Sequence, residues 1–528
     1  MADGAAGFDD ARALAALTRA CTPDELITDA QERAFHAADV AGTGAVPLAV
    51  IRPRSVAALS AALAAADAEG LAVHPRGGAM SYTDAFLPQH ARSIVVDTSG
   101  LDRIVAIDPV NLFATVEAGV TWAQLDAALA PHGLRARFWG PMSGGTATVG
   151  GGVSHGAITF GSGEAGAAGG SVLGLIVVLA DGSILRTGMD AQAGAAPFFR
   201  GYGPDLTGLF CHDCGALGIK AEITLALQPR ASHVDGVSFL FDDFAGMLGA
   251  MQAISRAGLA SEVVGTDAAV MRMGVAQRTL KDDLATGWQV FRAAPDPVTG
   301  AARLARLALH GRDFFARAAF AAHFVAEADS AAELRLKLER MRRLAGSGAH
   351  ETSNAMPLAL RAMPFPPLPV TAGDGRRLAA LNAIVPFGTA PGLHADMAAL
   401  AARLAPELAA VKAELMFVFT TLGRNGFLYE PFFYWEDSLT PFLDRRSPDA
   451  LKATWPARAD NPQARAAVAA ARDDCLALFR RHGAAHVQIG RVYPWLADRD
   501  PSSLAVIQSL KAQLDPKGLM NPGVLGLP

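Results

Sequence analysis

The chain has 528 residues, of which 51% are hydrophobic and 18% are charged. This length and balance predict two or three domains with large buried cores and exclude a mostly disordered protein. The formal net charge is −5, and the basic residues form no concentrated tract, which argues against a nucleic-acid-binding surface.

The sequence gives no sign of export or membrane insertion. The opening stretch MADGAAGFDDARALAALTRA carries three aspartates and lacks the basic, then apolar, pattern of a signal peptide. No run of about 20 uninterrupted apolar residues occurs, so we expect no membrane span. Four cysteines in a chain of this length do not suggest a disulfide framework. We therefore expect a cytoplasmic protein.

The first 230 residues alternate short strands with helices. Residues 8–40 are typical of helices with a turn at 21–24, and shorter units begin near residue 46. The patterns predict strands at 47–55, 71–78, 93–99, 171–187 and 216–230, a hairpin at 103–119, and helices at 56–70 and 121–133. Because hairpins accompany the helices, and no strand–GxGxxG–helix unit with a downstream acid occurs, we predict an α+β module and not a doubly wound nucleotide fold.

The remainder of the chain alternates strands with longer helices. The patterns predict strands at 234–241, 413–422, 429–435 and 485–494, helices at 301–328, 464–483 and 503–515, and a Pro/Gly-rich connector at 363–375. We interpret this part as a second α/β or α+β domain without internal repeats.

Glycine-rich loops interrupt the first module. They lie at residues 76–78, 141–152, 161–166 and 215–219. Glycine lets main-chain N–H groups approach a ligand without an intervening Cβ, and phosphate is the usual ligand of such a concave row. Together the loops favour one long ligand with a pyrophosphate. The alternative is that they are tight turns of a compact sheet domain.

The serial order of several motifs carries a resemblance to a known family. PRGGAMSYTD, ATVEAGVTWAQLDAALAPHGL, SGGTATVGGGVSHG, GALGIKAEITLALQP and DPKGLMNPG follow one another as in the vanillyl-alcohol oxidase/p-cresol methylhydroxylase flavoproteins. The chain is similar to that family over roughly residues 46–230 and 470–528, and most similar to its 4-phenol-oxidising branch.

The resemblance implies FAD and an α+β fold with a two-part PCMH-type FAD-binding domain. That domain would span 46–230 and be closed by a C-terminal segment at 466–528, with an α+β substrate-binding cap at 231–465 and a helical segment at 1–45.

The resemblance also implies which residues hold the cofactor. The pyrophosphate would be wrapped, mainly by main chain, by Arg76, Gly77, Gly78, Ala79, Met80 and Ser81. The ribityl chain and the isoalloxazine ring would lie against Pro141, Gly144, Gly145, Thr146, Thr148, Gly151 and Gly152. Ile219 would pack near the adenosine or ribityl part, and Asn521 would sit where the C-terminus meets the cofactor. Core packing and a turn are the alternatives for these last two residues.

The chain departs from the family at the positions that carry its phenol chemistry. The Tyr-Arg pair falls near Val487 and Gln488, and the acid near the flavin falls near Ala167. The covalently linked residue falls within 424–429, which contains no histidine, so we expect dissociable FAD. Tyr429 remains open as an ether-linked residue.

Other residues are candidates for catalysis. A strand at 485–494 would place His486 with Gln488 on one face and Arg491 with Tyr493 on the other. An arginine suits a carboxylate or an oxyanion, and Tyr493, or His155 beside the flavin loop, suits proton transfer. For Arg491, the alternative is an ion pair with Asp498 or Asp500. For Tyr493 and His155 the alternative is a structural role, and the same holds for the further candidates Gln488, Tyr429, Tyr82, Asp84, Glu430 and Tyr434.

Two motifs that resemble metal sites are incomplete. The CxxC at 211–214 has no second CxxC, and Gly483 interrupts the HxxxH at 482–486. We therefore expect no metal.

The sequence predicts an FAD-dependent oxidoreductase. It would pass hydride from an alcohol or benzylic carbon of an aromatic, 4-alkylphenol-like substrate to flavin N5. O2 or a separate acceptor such as a cytochrome would reoxidise the flavin, and a homo-oligomer stays open. The alternatives are a 2-hydroxy-acid dehydrogenase of the D-lactate or glycolate type, with Arg491 as the carboxylate anchor, and a non-catalytic flavin-binding protein.

Overall fold

A computed structural model describes residues 9–276, 300–301, 318–362, 364–365 and 373–528. These residues form three sheets in a mixed α+β architecture. Among them, no helix is both long enough and apolar enough to cross a bilayer.

The first sheet has four strands in the order β1-β2-β4-β3. They are β1 (Leu26–Ile27), β2 (Ala49–Ile51), β3 (Ala72–Arg76) and β4 (Ser93–Asp97). Strands β2, β3 and β4 are parallel, so their carboxyl ends lie at one edge. The crossover helix Val56–Glu69 begins at the N-cap Ser55 and ends at Gly70, which has the left-handed φ of 62° that glycine tolerates. Strand β1 joins the N-terminal helical segment to this sheet.

The second sheet is antiparallel, in the order β5-β6-β10-β8-β9, with β7 also paired to β10. Its strands are β5 (Ile104–Asp108), β6 (Phe113–Glu117), β7 (Leu134–Ala136), β8 (Val172–Val178), β9 (Ile184–Arg186) and β10 (Ile219–Pro229). The predicted hairpin at 103–119 is confirmed as β5 and β6. The single strand predicted at 171–187 is in fact a second hairpin, because 179–183 form a turn.

The third sheet is antiparallel, in the order β14-β11-β13-β12-β17-β18-β15, with β16 also paired to β18. Its strands are β11 (His233–Phe241), β12 (Glu262–Asp267), β13 (Phe320–Ala328), β14 (His350–Thr352), β15 (Arg377–Ala380), β16 (Ala383–Pro386), β17 (Ala413–Leu422) and β18 (Gly426–Trp435). We call this sheet and its helices the cap. Helices cover one face of the sheet and build the largest core cluster, which includes Phe419, Phe427 and Phe433.

Helices connect and cover the sheets. In the described residues they are Asp10–Ala20, Ala30–His36, Val56–Glu69, Trp122–Leu129, Val149–His155, Ser162–Ala165, Leu206–Leu209, Phe244–Arg256, Ala268–Ala276, Ala331–Leu344, Ala355–Ala362, Ala390–Ala410, Pro441–Arg446, Asp449–Lys452, Pro462–Arg481 and Pro501–Leu514.

Two predicted elements are wrong. The end of the helix predicted at 301–328 is strand β13, paired with β11 and β12, while 302–317 lie outside the described residues. The strand predicted at 485–494 is a turn that keeps only one bridge, Ala485 to Ile384. Gln488 and Gly490 have left-handed φ values of 55° and 58°, which a strand does not allow.

The side chain of Asn382 replaces the missing strand partner of this turn. Its amide donates to the Val487 carbonyl at 2.9 Å and accepts the Val487 N–H at 3.0 Å. The alternation that would place His486 with Gln488, and Arg491 with Tyr493, therefore does not exist. Most of the connector predicted at 363–375 lies outside the described residues.

The C-terminus returns to the first sheet. The Val73 N–H donates to the Leu519 carbonyl, and the Asn521 N–H donates to the Val73 carbonyl, each at 2.8 Å. The Asn521 amide donates to the carbonyls of Ala85 and Cys214 at 2.8 and 2.7 Å. Its oxygen lies 3.1 Å from His74 Nδ1. This buried amide holds three segments together.

Asn521→Ala should lower the free energy of unfolding by about 2–3 kcal/mol, because it leaves two buried carbonyls and a buried imidazole without a partner. Chemical denaturation measures the loss. Asn425→Ala, at an exposed hairpin turn, is the matched control and should change stability by less than about 0.5 kcal/mol. Equal stability of the two variants would contradict the closing role of Asn521.

Candidate FAD-binding groove

A long groove runs between the first two sheets, along the glycine loops. One cavity is lined by the 76–81 loop, the 147–157 segment and the 215–220 loop. A second cavity shares Arg76, Gly77, Gly78 and Thr148 with the first. Two adjoining spaces that share a loop wall suit an elongated ligand better than a compact one.

Eleven of the predicted cofactor residues line the first cavity. They are Arg76, Gly77, Gly78, Ala79, Met80, Ser81, Pro141, Thr148, Gly151, Gly152 and Ile219. Gly145 and Thr146 line the second cavity. Gly144 and Asn521 line neither, because Gly144 faces Phe365 and Asn521 ties the C-terminal segment to the first sheet.

Two glycines in the first loop are required by close packing. A Cβ on Gly78 would collide with the carbonyl of Thr146, and one on Gly77 would collide with the Thr148 hydroxyl. The backbones of the two loops therefore lie against each other, which side chains would prevent. We expect the main-chain N–H groups of the first loop to bind a pyrophosphate.

One nitrogen of the Arg76 guanidinium is bound behind the loop, while another, Nη2, is buried without a hydrogen-bond partner among the described residues. The guanidinium donates to the carbonyls of His36 (3.2 Å) and Ala38. It also lies over the rings of Phe35 and Phe442, at 5.4 and 5.2 Å. Burial lowers the pKa of Arg76 to about 10. Arg76 thus fixes the N-terminal segment against the loop, while the main chain remains available to the ligand.

The glycines at 150–152 lie in a helix, Val149–His155, and not in an open loop. The Thr148 hydroxyl caps this helix by accepting the Gly151 N–H at 3.1 Å. A Cβ on Gly150 would collide with Ala118, and one on Gly152 with the Trp122 ring. The glycines let the helix pack tightly against the second sheet beside the groove.

His155 ends this helix and faces the first cavity. Its Nε2 lies 2.9 Å from the Thr83 hydroxyl and 3.5 Å from the Ser81 hydroxyl. Phe86 packs edge-on against the ring at 5.3 Å between centroids. Burial lowers the pKa of His155 to about 3, so the imidazole is neutral near pH 7 and offers hydrogen bonds without charge.

Arg491 is held by main-chain carbonyls. Its guanidinium donates to Pro522 O (2.8 Å), Asp84 O and Asn521 Oδ1 (2.9 Å). The alternative ion pairs do not form, because Asp498 binds Arg480 at 2.6 Å and Asp500 caps the helix Pro501–Leu514. This arrangement points to a structural role.

Tyr493 and Tyr429 are also engaged elsewhere. The Tyr493 hydroxyl accepts the Asn382 N–H at 2.6 Å. Tyr429 lies fully buried in the helix-covered core of the cap, with its hydroxyl 3.1 Å from His394 Nδ1. Among the former strand candidates, Gln488 lines the first cavity because the left-handed turn directs it there.

Sequence reasoning missed Lys220 and Asp213, which form a buried ion pair at the end of the groove. Asp213 also accepts the N–H groups of Gly215 (3.0 Å) and Leu217 (3.3 Å), so the pair fixes the 215–219 loop. The sequence signal that could have indicated this pair was Asp213, the acidic residue inside the CxxC motif.

The CxxC and HxxxH motifs hold no metal site in the structure. Both cysteines of the CxxC are free thiols, and burial raises the pKa of Cys211 to about 11 and that of Cys214 to about 12. His482 bonds Asp396 and His486 bonds the Asn382 carbonyl. In the part of the chain that the structure describes, no three His, Cys, Asp or Glu side chains are arranged to hold a metal ion.

The three sheets and the main-chain groove define a flavin-adenine-dinucleotide-binding fold. Residues 47–188 match the family FAD_binding_4, described as an FAD binding domain. The glycine-lined groove fits FAD as the cofactor.

Comparison with known proteins extends the likeness beyond the domain. An uncharacterized FAD-linked oxidoreductase of Mycobacterium tuberculosis is 30% identical over 230 residues, which are 43% of this chain and 48% of that protein. Mitochondrial D-lactate dehydrogenase [cytochrome] 1 of Saccharomyces cerevisiae is 29% identical over 197 residues, 37% of this chain and 32% of that protein. The chain thus spans about half or less of the length of these relatives.

A solved structure of p-cresol methylhydroxylase with substrate bound has the same fold. The TM-score is 0.72 at 15% identity, over 98% of this chain and 96% of that chain. The α+β PCMH-type architecture predicted from the motifs is confirmed.

Gly78→Ala should weaken FAD binding at least about tenfold, or about 1.4 kcal/mol, because the new methyl group forces the two loops apart. Quenching of flavin fluorescence by apoprotein measures the affinity. Gly249→Ala, where an added Cβ meets nothing within 4 Å, should bind FAD as the unaltered protein does. Equal affinity of both variants would contradict the main-chain cradle.

Proposed function

We propose that the protein is an FAD-dependent oxidoreductase that oxidises an alcohol or benzylic carbon of an aromatic, 4-alkylphenol-like substrate. Bound FAD supplies a hydride acceptor at its ring nitrogen N5. The observation that carries the proposal is the face of strand β18 that carries Leu428, Phe432 and Tyr434, on which Leu428 packs against Ile158 and Ala167 of the FAD-binding domain.

The cap contacts the groove at defined points. Leu428 packs with Ile158, Ala167 and Val487, and the Gly423 N–H donates to the Ser162 carbonyl at 3.0 Å. These contacts bring Leu428 and its strand neighbours close to the segment that follows His155 and to the turn that carries Gln488. Such a surface suits an aromatic substrate and excludes water from its reacting carbon.

Three groups on this side of the protein are neutral and can form hydrogen bonds. His155 holds no charge near pH 7, and burial raises the pKa of Tyr434 to about 12 and that of Tyr82 further. They can orient a substrate hydroxyl or relay its proton.

FAD is held without a covalent bond in this proposal, because Tyr429 points into the cap core, away from the groove. O2 or a separate electron acceptor such as a cytochrome reoxidises the flavin.

A 2-hydroxy-acid dehydrogenase is the second candidate, since D-lactate dehydrogenase is among the relatives. Arg491 was the expected carboxylate anchor of such an enzyme, but its guanidinium donates to the backbone carbonyls of Pro522 and Asp84. The geometry therefore favours the aromatic substrate. A non-catalytic flavin-binding protein is the third alternative.

Anaerobic titration of the FAD-loaded protein tests the proposal. 4-Ethylphenol or vanillyl alcohol should bleach the flavin absorbance, and admission of air or a dye should restore it. Bleaching by D-lactate or glycolate alone would favour the second candidate. No bleaching by any of these compounds, with FAD bound, would support the non-catalytic alternative.

Arg491→Gln should lower thermal stability, because the carbonyls of Asp84, Leu87 and Pro522 and the Asn521 side chain lose the guanidinium donor. It should leave the preference between aromatic and 2-hydroxy-acid substrates unchanged. Thermal melting and the same anaerobic titration measure both effects. Arg480→Gln, at an exposed ion pair with Asp498, is the control and should change stability little. A selective loss of hydroxy-acid turnover in the Arg491 variant would overturn the structural role.

A further inference from the structure

Glu430 lies on the face of the cap sheet that looks toward the groove. Successive residues of a strand point to opposite faces. Phe427, Tyr429, Phe433 and Trp435 belong to the helix-covered core, so Leu428, Glu430 and Phe432 point the other way. Leu428 meets the FAD-binding domain directly, and Glu430 follows it two residues later on the same face.

The surroundings of Glu430 are mostly apolar. Val418 lies directly opposite on β17, and Leu428 and Phe432 flank it along β18. Tyr493, which belongs to the turn that carries Gln488, interacts electrostatically with Glu430. Tyr82, which adjoins the 76–81 loop, interacts in the same way with Tyr434, two strand positions of the same face beyond Glu430.

The carboxyl group of Glu430 has no hydrogen-bond or ion-pair partner in the described part of the protein. It is half-buried, and burial raises its pKa to about 8. A buried carboxyl group without a partner favours its protonated form, since desolvation penalises the charge. Unpaired polar groups in such places often await a ligand.

We propose that Glu430 contacts the substrate and, as a neutral carboxyl group, exchanges hydrogen bonds with a hydroxyl group of an uncharged, largely apolar molecule. The inference rests on the proposed function and deepens it by naming the substrate class. A protonated carboxyl group can donate and accept at once, which matches an alcohol or a phenol. A carboxylate substrate would have to share this face with an acid, which disfavours 2-hydroxy acids.

The proposal has a definite pH dependence. The titratable or charged groups on the elements around Glu430 are Tyr434, Glu414, Glu262, His323, Tyr82, Arg472, His486 and Tyr493. Burial lowers the pKa of His323 to about 4 and that of His486 below its usual value. It raises the pKa of Tyr434 to about 12, and those of Tyr82 and Tyr493 further. Glu414 pairs with Arg376, Glu262 pairs with Arg361, and Arg472 donates to the Tyr82 carbonyl. Among the described groups near this face, we therefore expect the charge of Glu430 to change between about pH 7 and 10.

The pKa of Glu430 is higher in the folded protein than in the unfolded chain, so the free energy of unfolding should fall as the pH rises between these two pKa values. The proton is bound in the native state and absent in the unfolded state between about pH 4.5 and 8, so the contribution to stability is lost as pH rises through that window. Substrate binding should likewise weaken above about pH 8, when Glu430 ionises.

The test compares Glu430→Gln with the unaltered FAD-loaded protein. Anaerobic flavin reduction by the uncharged probe 4-methoxybenzyl alcohol is followed from pH 6 to 10, together with melting temperature. The unaltered protein should lose at least tenfold in kcat/KM between pH 7.5 and 10, mostly through KM. Glu430→Gln should lack this alkaline loss and should also lack the fall in melting temperature between pH 5 and 8. Glu430→Leu should reduce kcat/KM at pH 7 at least tenfold with FAD still bound.

Glu414→Gln is the matched control, an exposed residue on the adjacent strand β17, and should keep the unaltered pH profile. An alkaline loss that persists in Glu430→Gln, or full activity of Glu430→Leu, would overturn the role of Glu430 while leaving the proposed oxidation intact. Absence of flavin reduction by any aromatic alcohol or phenol in the unaltered protein would instead overturn the proposed function. In either case, the pH dependence of the melting temperature of Glu430→Gln and Glu414→Gln tests independently whether the Glu430 carboxyl group has a raised pKa.

Discussion

The contact between two side-chain-poor backbone segments is the constraint on which the rest of the structure depends. Gly77 and Gly78 lie against Thr146 and Thr148 so closely that a single methyl group would part them. This contact brings the main chain of both loops to the groove wall, where we expect a pyrophosphate to bind to N–H groups. The Arg76 side chain also holds the N-terminal segment against the loop.

Other parts of the fold serve to hold that contact in place. The parallel strands β2, β3 and β4 bring their carboxyl ends to one edge, which carries the first loop. The second sheet presents the helix Val149–His155, and the returning C-terminus pins β3 through Asn521. The cap packs against the FAD-binding domain through Leu428, which contacts Ile158 and Ala167.

The sequence was informative where local chemistry decides the structure. The helix Val56–Glu69 has its Ser55 cap and Gly70 stop, the β5–β6 hairpin has its turn at Asp108, and most glycines of the motifs do line the groove. The fold class followed from the order of those motifs.

Prediction from the sequence failed where a residue far away along the chain determines the local structure. The 485–494 segment has strand-like alternation, but the Asn382 side chain satisfies its backbone, and no local pattern announces that. The partners of Arg491 and Tyr429 could not be predicted for the same reason, since they lie far away along the chain. Glu430 stood out only once the faces of β18 could be told apart.

The central claim is that main-chain groups of the glycine loops hold the FAD pyrophosphate. A crystal structure of the protein with FAD tests it most directly. The account predicts pyrophosphate oxygens within hydrogen-bond distance of N–H groups in the 77–81 loop, with the Arg76 guanidinium still bound to the carbonyls of His36 and Ala38. A pyrophosphate bound by the Arg76 guanidinium, or an FAD molecule lying outside this groove, would contradict it.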